Sequence, residues 1–173
     1  MGIGFNNTSK FSSGVSGLGG SNFNPTVNIS IMGVGGAGGN IIKYLSEKNL
    51  ENVNLICANT DVQAMMSTPI SNIIQLGKNT TRGLGAGSNP EVGEKSAIEA
   101  AEEIKSALHG TDMLIIVAGL GGGTGTGAAP VIAKIAREIG ILVLSFVVTP
   151  FDFESERKML CDGGVANLLK TTD

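Results

Sequence analysis

Gly119-Leu120-Gly121-Gly122-Gly123-Thr124-Gly125-Thr126-Gly127 is the stretch on which the reading of this chain turns. It follows Met113-Leu114-Ile115-Ile116-Val117-Ala118, an apolar run of strand length, and it leads into Ala128-Ala129-Pro130-Val131-Ile132, which opens a helix. Apart from Leu120, its residues are glycine and threonine, which bring little to packing. They offer backbone N–H groups at the start of a helix, where the macrodipole favours an anion. Strand, glycine-rich turn and helix in that order read as a phosphate cradle in an α/β domain. Thr124 and Thr126 add hydroxyl donors.

The same arrangement occurs upstream. Val27, Ile29 and Ile31 alternate with polar residues as a strand, which runs into Gly33-Val34-Gly35-Gly36-Ala37-Gly38-Gly39-Asn40 and a helix through Ile41, Ile42 and Leu45. Residues 53–58 predict a second strand ending in Asn59-Thr60-Asp61. A short helix over 62–66 follows, with Met65 and Met66 as core filler, then a third strand at 73–76. Residues 78–87 form a long glycine-rich loop, of a length that is usually functional. Asn89-Pro90-Glu91 is a strong helix start, with Ile98, Ala101, Ile104 and Leu108 on one face up to Gly110. Beyond the opening stretch, Val131, Ile132, Ile135 and Ile139 line a helix that Gly140 closes. Residues 141–148 make another apolar strand, followed by Pro150-Phe151-Asp152-Phe153-Glu154. A last helix runs through Met159, Leu160, Leu168 and Leu169, weakened in its middle by Gly163-Gly164.

Strands alternating with helices, two of them apolar on both faces, predict a three-layer α/β domain around a parallel sheet covered on both sides. Ligands in such sheets sit beyond the carboxyl ends of the strands. The segments 33–40, 59–61, 119–127 and 150–154 all open onto that edge. The chain of 173 residues suffices for one such domain, assigned to 26–173. Residues 1–25, rich in Gly, Ser and Asn with Lys10 as their one charge, predict a disordered tail. A net charge of −3, 4% aromatics and no basic stripe argue against nucleic-acid binding. No apolar run approaches the roughly 20 residues of a membrane span. Cys57 and Cys161 lack metal or redox spacing and read as buried free thiols.

Gly33-x-Gly35-x-x-Gly38 matches the dinucleotide fingerprint, with Asp61 as the acid for a ribose. That keeps an NAD-type oxidoreductase domain as an alternative. A dinucleotide needs one helix N-terminus, however, and two cradles suit a longer phosphate chain, as in a nucleoside triphosphate. No Walker A lysine motif is present. Neither cradle contains Lys or Arg, so phosphate charge falls to backbone N–H groups, helix dipoles and a Mg²⁺ ion. Glu154 suits a ribose hydroxyl, and Arg157 and Lys158 are either phosphate ligands or surface charges. A third reading has the glycines serving the fold alone, in an interaction module that binds no nucleotide.

Taken together, Gly-Gly-Gly-Thr-Gly-Thr-Gly at 121–127, Gly-Val-Gly-Gly-Ala-Gly-Gly-Asn at 33–40, Ala-Asn-Thr-Asp at 58–61, Gly-Leu-Gly-Ala-Gly-Ser-Asn-Pro-Glu-Val-Gly at 83–93 and Pro-Phe-x-Phe-Glu at 150–154 closely resemble the FtsZ-type, tubulin-like cell-division GTPases. The resemblance covers residues 27–173. It implies that Gly36, Ala37, Gly38, Gly39 and Asn40 wrap a diphosphate, with Asn40 near the guanosine, and that Asp61 borders the phosphates. It implies that Gly85, Ala86 and Gly87 close over the γ-phosphate, that Gly123, Thr124 and Gly125 hold phosphates, and that Glu154 holds the ribose. Lys158 stands where the family usually has Arg, a point charge in place of a planar fork, and Ser155 stands where it has Gly. The family's central helix, acidic loop and second domain are not in this sequence. By the resemblance, those acids complete GTP hydrolysis on the neighbouring subunit's nucleotide, so no catalytic residue is expected in this chain. Filament self-association, division-ring partners and a cytoplasmic site at midcell are likewise what the resemblance implies.

Overall fold

The computed structural model describes residues 27–48 and 50–173; the expected tail, 1–25, lies outside them. One five-stranded, all-parallel sheet forms the middle layer, built of β1 (Ile29–Val34), β2 (Val53–Asn59), β3 (Ile73–Gln75), β4 (Met113–Gly119) and β5 (Leu142–Val148) in the order β3-β2-β1-β4-β5. Strand order reverses between β1 and β4, the switch point at which open α/β sheets bind ligands. Helices α1 (Gly35–Ser46) and α2 (Val62–Met66) lie on one side. Helices α3 (Pro90–Glu99), α4 (Ala101–Ala107), α5 (Thr124–Glu138) and α6 (Ser155–Thr171) lie on the other. The main core is on the α5 side. There Met32, Ile56, Leu114, Ile116 and Val143 meet Ile104, Leu108, Ile132, Ala133 and Ala136, all at most 1% exposed.

The structure departs from the expectations in instructive places. The sheet is not covered on both sides at β5: Leu142, Phe146 and Val148 are 45–62% exposed, while Val143 is fully buried. The helix α1 packs on β1, β2 and β4, so one face of β5 is left open among the described residues. The single helix expected from Pro90 to Leu108 is two, broken at Ala100 (φ −91°, ψ 13°). Its buried stripe runs through Ala97, Ala100, Ile104 and Leu108, which puts Ile98 about 100° away from the core, where it is exposed. Only Met65 of the α2 pair is buried, since neighbouring residues on a five-residue helix cannot share a face; Met66 is exposed. On α6 the buried stripe is Cys161, Gly164 and Leu168, leaving Met159 and Leu169 outside. Ile139, past the end of α5, is also exposed. Gly164 does not interrupt its helix. A Cβ there would come within 2.8 Å of Thr126 Cγ2, so the glycine lets α6 close on α5.

Candidate functional site

Two helix starts meet at the switch point. The chain passes from β1 into α1 with no side chain capping the first N–H groups. The helix α5 likewise begins after Gly123 with no side-chain cap. These donors are left for an external anion. The two ends nearly touch, since a Cβ on Gly35 would lie 3.1 Å from Gly125 N and 3.3 Å from Thr124 Cβ. Between them opens a cleft of about 390 Å³. Its walls come from Gly36 and Ala37, from residues 119–125, from 148–151, and from Glu154 and Arg157.

The polar side chains around this cleft have defined partners. Thr124 shares a 2.7 Å hydroxyl–hydroxyl hydrogen bond with Thr60, which directly follows β2 and is fully buried. Thr126 is 5% exposed, and its hydroxyl oxygen accepts the Gly121 N–H at 2.8 Å. The Glu154 carboxylate accepts from the Phe151 N–H at 3.3 Å and from Arg157 Nη1 at 2.8 Å. Lys158 instead bonds Asp152; that contact lowers the Asp152 carboxyl pKa and raises that of the Lys158 ammonium.

The structure therefore brings Gly36, Ala37, Gly123, Thr124, Gly125 and Glu154 together around one cleft. Gly85, Ala86, Gly87 and Asp61 stand beside it. The Gly85 N–H donates to the Thr60 carbonyl, Asp61 bridges Leu84, and a Cβ on Gly123 would meet Ala86 Cβ at 2.8 Å. The Asp61 carboxylate is occupied as the N-cap of α2, accepting the Ala64 N–H at 3.1 Å. Gly38 and Gly39 are buried where α1 meets the sheet, and Asn40 is exposed on α1. Like the residues just named, Thr126 and Lys158 do not line the cleft. Thr126 is turned inward to hold the loop. Lys158 lies one helical step beyond the residue that faces the cleft, and that residue is Arg157, three after Glu154. The i,i+3 spacing of Glu154 and Arg157 was visible in the sequence as a pairing signal. The inward role of Thr60 had no such signal.

A larger groove, about 640 Å³, runs between α3, α5 and α6 past Pro90, Pro130, Val131 and Met159. No free helix start is available there, because Asn89 caps α3 by accepting the Glu91 N–H. Burial raises the pKa of both cysteine thiols, Cys57 and Cys161, which suits packing rather than reaction. Among the described residues no cluster of three or more His, Cys, Asp or Glu gathers to hold a metal, and no helix is long and apolar enough to cross a membrane.

Comparison with known proteins bears on this geometry. The family profile described as "Tubulin/FtsZ family, GTPase domain" matches residues 28–173. The chain is 52% identical over 153 residues to the cell division protein FtsZ of Mycoplasmopsis pulmonis, covering 88% of this chain and 39% of that protein. It is 47% identical over 153 residues to the FtsZ of Pseudomonas aeruginosa, with the same coverage of each. Among solved structures it superposes on an empty FtsZ dimer from M. jannaschii with a TM-score of 0.83 at 44% identity, covering 86% of this chain and 43% of that one. It also superposes on GDP-bound CetZ1 from Haloferax volcanii with a TM-score of 0.76 at 26% identity, covering 85% and 49%. The chain thus spans about two fifths of the length of the curated relatives it matches.

Proposed function

This chain belongs to the tubulin/FtsZ family of GTPase domains, and on that premise we propose that its cleft binds GTP and GDP in a protein that assembles into filaments during bacterial cell division. The observation that carries this reading is the pair of uncapped helix starts facing one cleft at the switch point. Each presents roughly half a positive charge. Two of them suit a chain of phosphates better than a single pyrophosphate, and membership of this family does not favour the NAD-type alternative.

In this reading Gly36, Ala37, Gly38, Gly39 and Asn40 wrap the diphosphate, with Asn40 toward the guanosine. Gly123, Thr124 and Gly125 donate to the phosphates. The turn Gly85-Ala86-Gly87 closes over the terminal phosphate beside Asp61, and Glu154 accepts from the ribose. Arg157 already holds Glu154 at 2.8 Å, so ribose binding shares or replaces that contact, and its guanidinium is then available to an anion. Lys158 can join only by leaving Asp152. A Mg²⁺ ion fits the donor set: hydroxyls and backbone groups with no carboxylate cage suit a cation held mainly by phosphate oxygens and water.

The cleft itself holds one carboxylate, Glu154, which is engaged. Nothing else among its lining residues can activate a water molecule. By its likeness to the family, we infer that hydrolysis is completed by acidic residues of an adjacent subunit and that this chain alone turns over negligibly. The whole protein works in the cytoplasm at a midcell ring, with other division proteins as partners. The decisive experiment compares thermal unfolding of the purified chain with GTP and Mg²⁺, GDP and Mg²⁺, and NAD. A ligand at about 100 times its Kd adds about 2.7 kcal/mol to stability. Stabilisation by guanine nucleotides alone is expected; stabilisation by NAD alone would reverse the assignment.

A further inference from the structure

The loop 78–87 has no regular structure, and its second half is conformationally demanding. Arg82, Gly83, Gly85, Gly87 and the following Ser88 all have φ between +52° and +85°. Such a segment keeps one shape only when its surroundings impose it. Besides the Val62 N–H donating to the Gly83 carbonyl at 3.1 Å, the Asp61–Leu84 bridge and the Lys78–Glu103 ion pair, three ties bear on the turn. The buried Thr81 hydroxyl donates to the Thr60 and Gly77 carbonyls, at 3.2 and 3.0 Å. The Gly85 N–H donates to the Thr60 carbonyl, and the Asn89 N–H to the Ala86 carbonyl. The third tie is Glu99, at the far end of α3. One carboxylate oxygen accepts the Asn79 N–H at 2.8 Å and Asn79 Nδ2 at 2.9 Å. The other accepts the Thr80 N–H at 3.1 Å and its hydroxyl at 2.7 Å. Among the described residues no other side chain accepts backbone N–H groups from this loop.

The helix α3 is itself locked to the cradle. A Cβ on Gly93 would overlap the Gly123 carbonyl, and one on Gly127 would overlap the Pro90 carbonyl, so α3 and the start of α5 meet backbone to backbone. The loop is thus fastened at both ends to one helix, by its chain connection at Asn89 and by the Glu99 carboxylate ten residues later. Between these points lies Ala86, pressed against Gly123.

We propose that Glu99 is a positioning residue whose carboxylate holds the loop 78–87 on α3, and so keeps the Gly85–Gly87 turn against Gly123 where a terminal phosphate is read. The phosphate part rests on the nucleotide reading given above. The bracing part does not. Charge-assisted hydrogen bonds of this kind are about twice as strong as neutral ones, and four of them converge on this one carboxylate.

Trypsin separates the two parts, because Arg82 lies exposed in the loop. On the nucleotide-free chain, E99A is expected to be cut after Arg82 about tenfold faster than wild type, with cutting after Lys134 in α5 unchanged. E99Q keeps one acceptor oxygen and is expected to fall between. E103Q removes the neighbouring partner of Lys78 but no backbone contact, and should match wild type. The ratio of GDP to GTP dissociation constants should fall about fivefold in E99A, because only the terminal phosphate meets the turn. Equal cutting of E99A and wild type overturns the proposal, as does faster cutting with an unchanged ratio. If wild type binds neither nucleotide, the reading of the cleft falls and the Arg82 cutting alone decides the brace.

Discussion

Thr126 sits 5% exposed with its hydroxyl oxygen under the Gly121 N–H, and Thr124, two residues before it, lines the cleft and pairs with Thr60. T126V keeps the shape and removes the acceptor, stranding a buried N–H at a cost of about 1–3 kcal/mol. Chemical denaturation should read that loss, and T126S should recover most of it. T124V strands the buried Thr60 hydroxyl at a similar cost, about 1–3 kcal/mol, and unlike T126V should also weaken GTP binding measured by calorimetry. A similar split is expected on α6: R157A should weaken nucleotide binding more than K158A, since Arg157 faces the cleft and Lys158 is held by Asp152. Residue type alone marked both threonines and both basic residues alike, and the resemblance singled out Lys158. What separates them is which way the chain turns at Gly121 (φ +97°), and how α6 is rotated about its axis. Neither is encoded in residue type.

At the scale of elements, strands, helices and their order were legible, because alternation, caps and glycine stops are local signals. Asn89-Pro90-Glu91 starts α3 as read, and the cradles fall between strand and helix as read. The open face of β5 was not legible. Apolar residues on both sides of a strand tell what prefers burial, not whether a partner lies there. F146T is therefore expected to change stability by no more than about 0.5 kcal/mol, while reducing the binding of a hydrophobic dye, measured by fluorescence. The Glu99 brace carries its own pH signature. Its hydrogen bonds from Asn79 and Thr80 lower the Glu99 carboxyl pKa below the usual glutamate range, so the contribution is complete at pH values above the unfolded value, about 4.3. It fades as pH falls through the lower folded value. Lys78 and Glu103, the charged pair beside it on the loop and α4, bond each other. Cutting after Arg82 by an acid-tolerant protease of matching specificity should accelerate over that window in wild type and stay flat in E99A.

For the molecule as a whole, the parallel sheet with its reversal between β1 and β4 brings the starts of two helices to one cleft. That convergence was readable, since two glycine-rich turns after apolar strands must open on one edge of a parallel sheet. Their separation was not, because it depends on Gly35 and Gly125 coming to within about a van der Waals contact. Two like partial charges therefore face each other across this close approach. Each end carries roughly half a charge, so the nucleotide-free form stores repulsion that any compact multivalent anion relieves. Sulfate or phosphate should raise the melting temperature of the apo chain well beyond chloride at equal ionic strength, with the gain vanishing once GTP is bound. Buffer composition is then a ligand concentration in disguise, and an affinity measured in phosphate reports a competition.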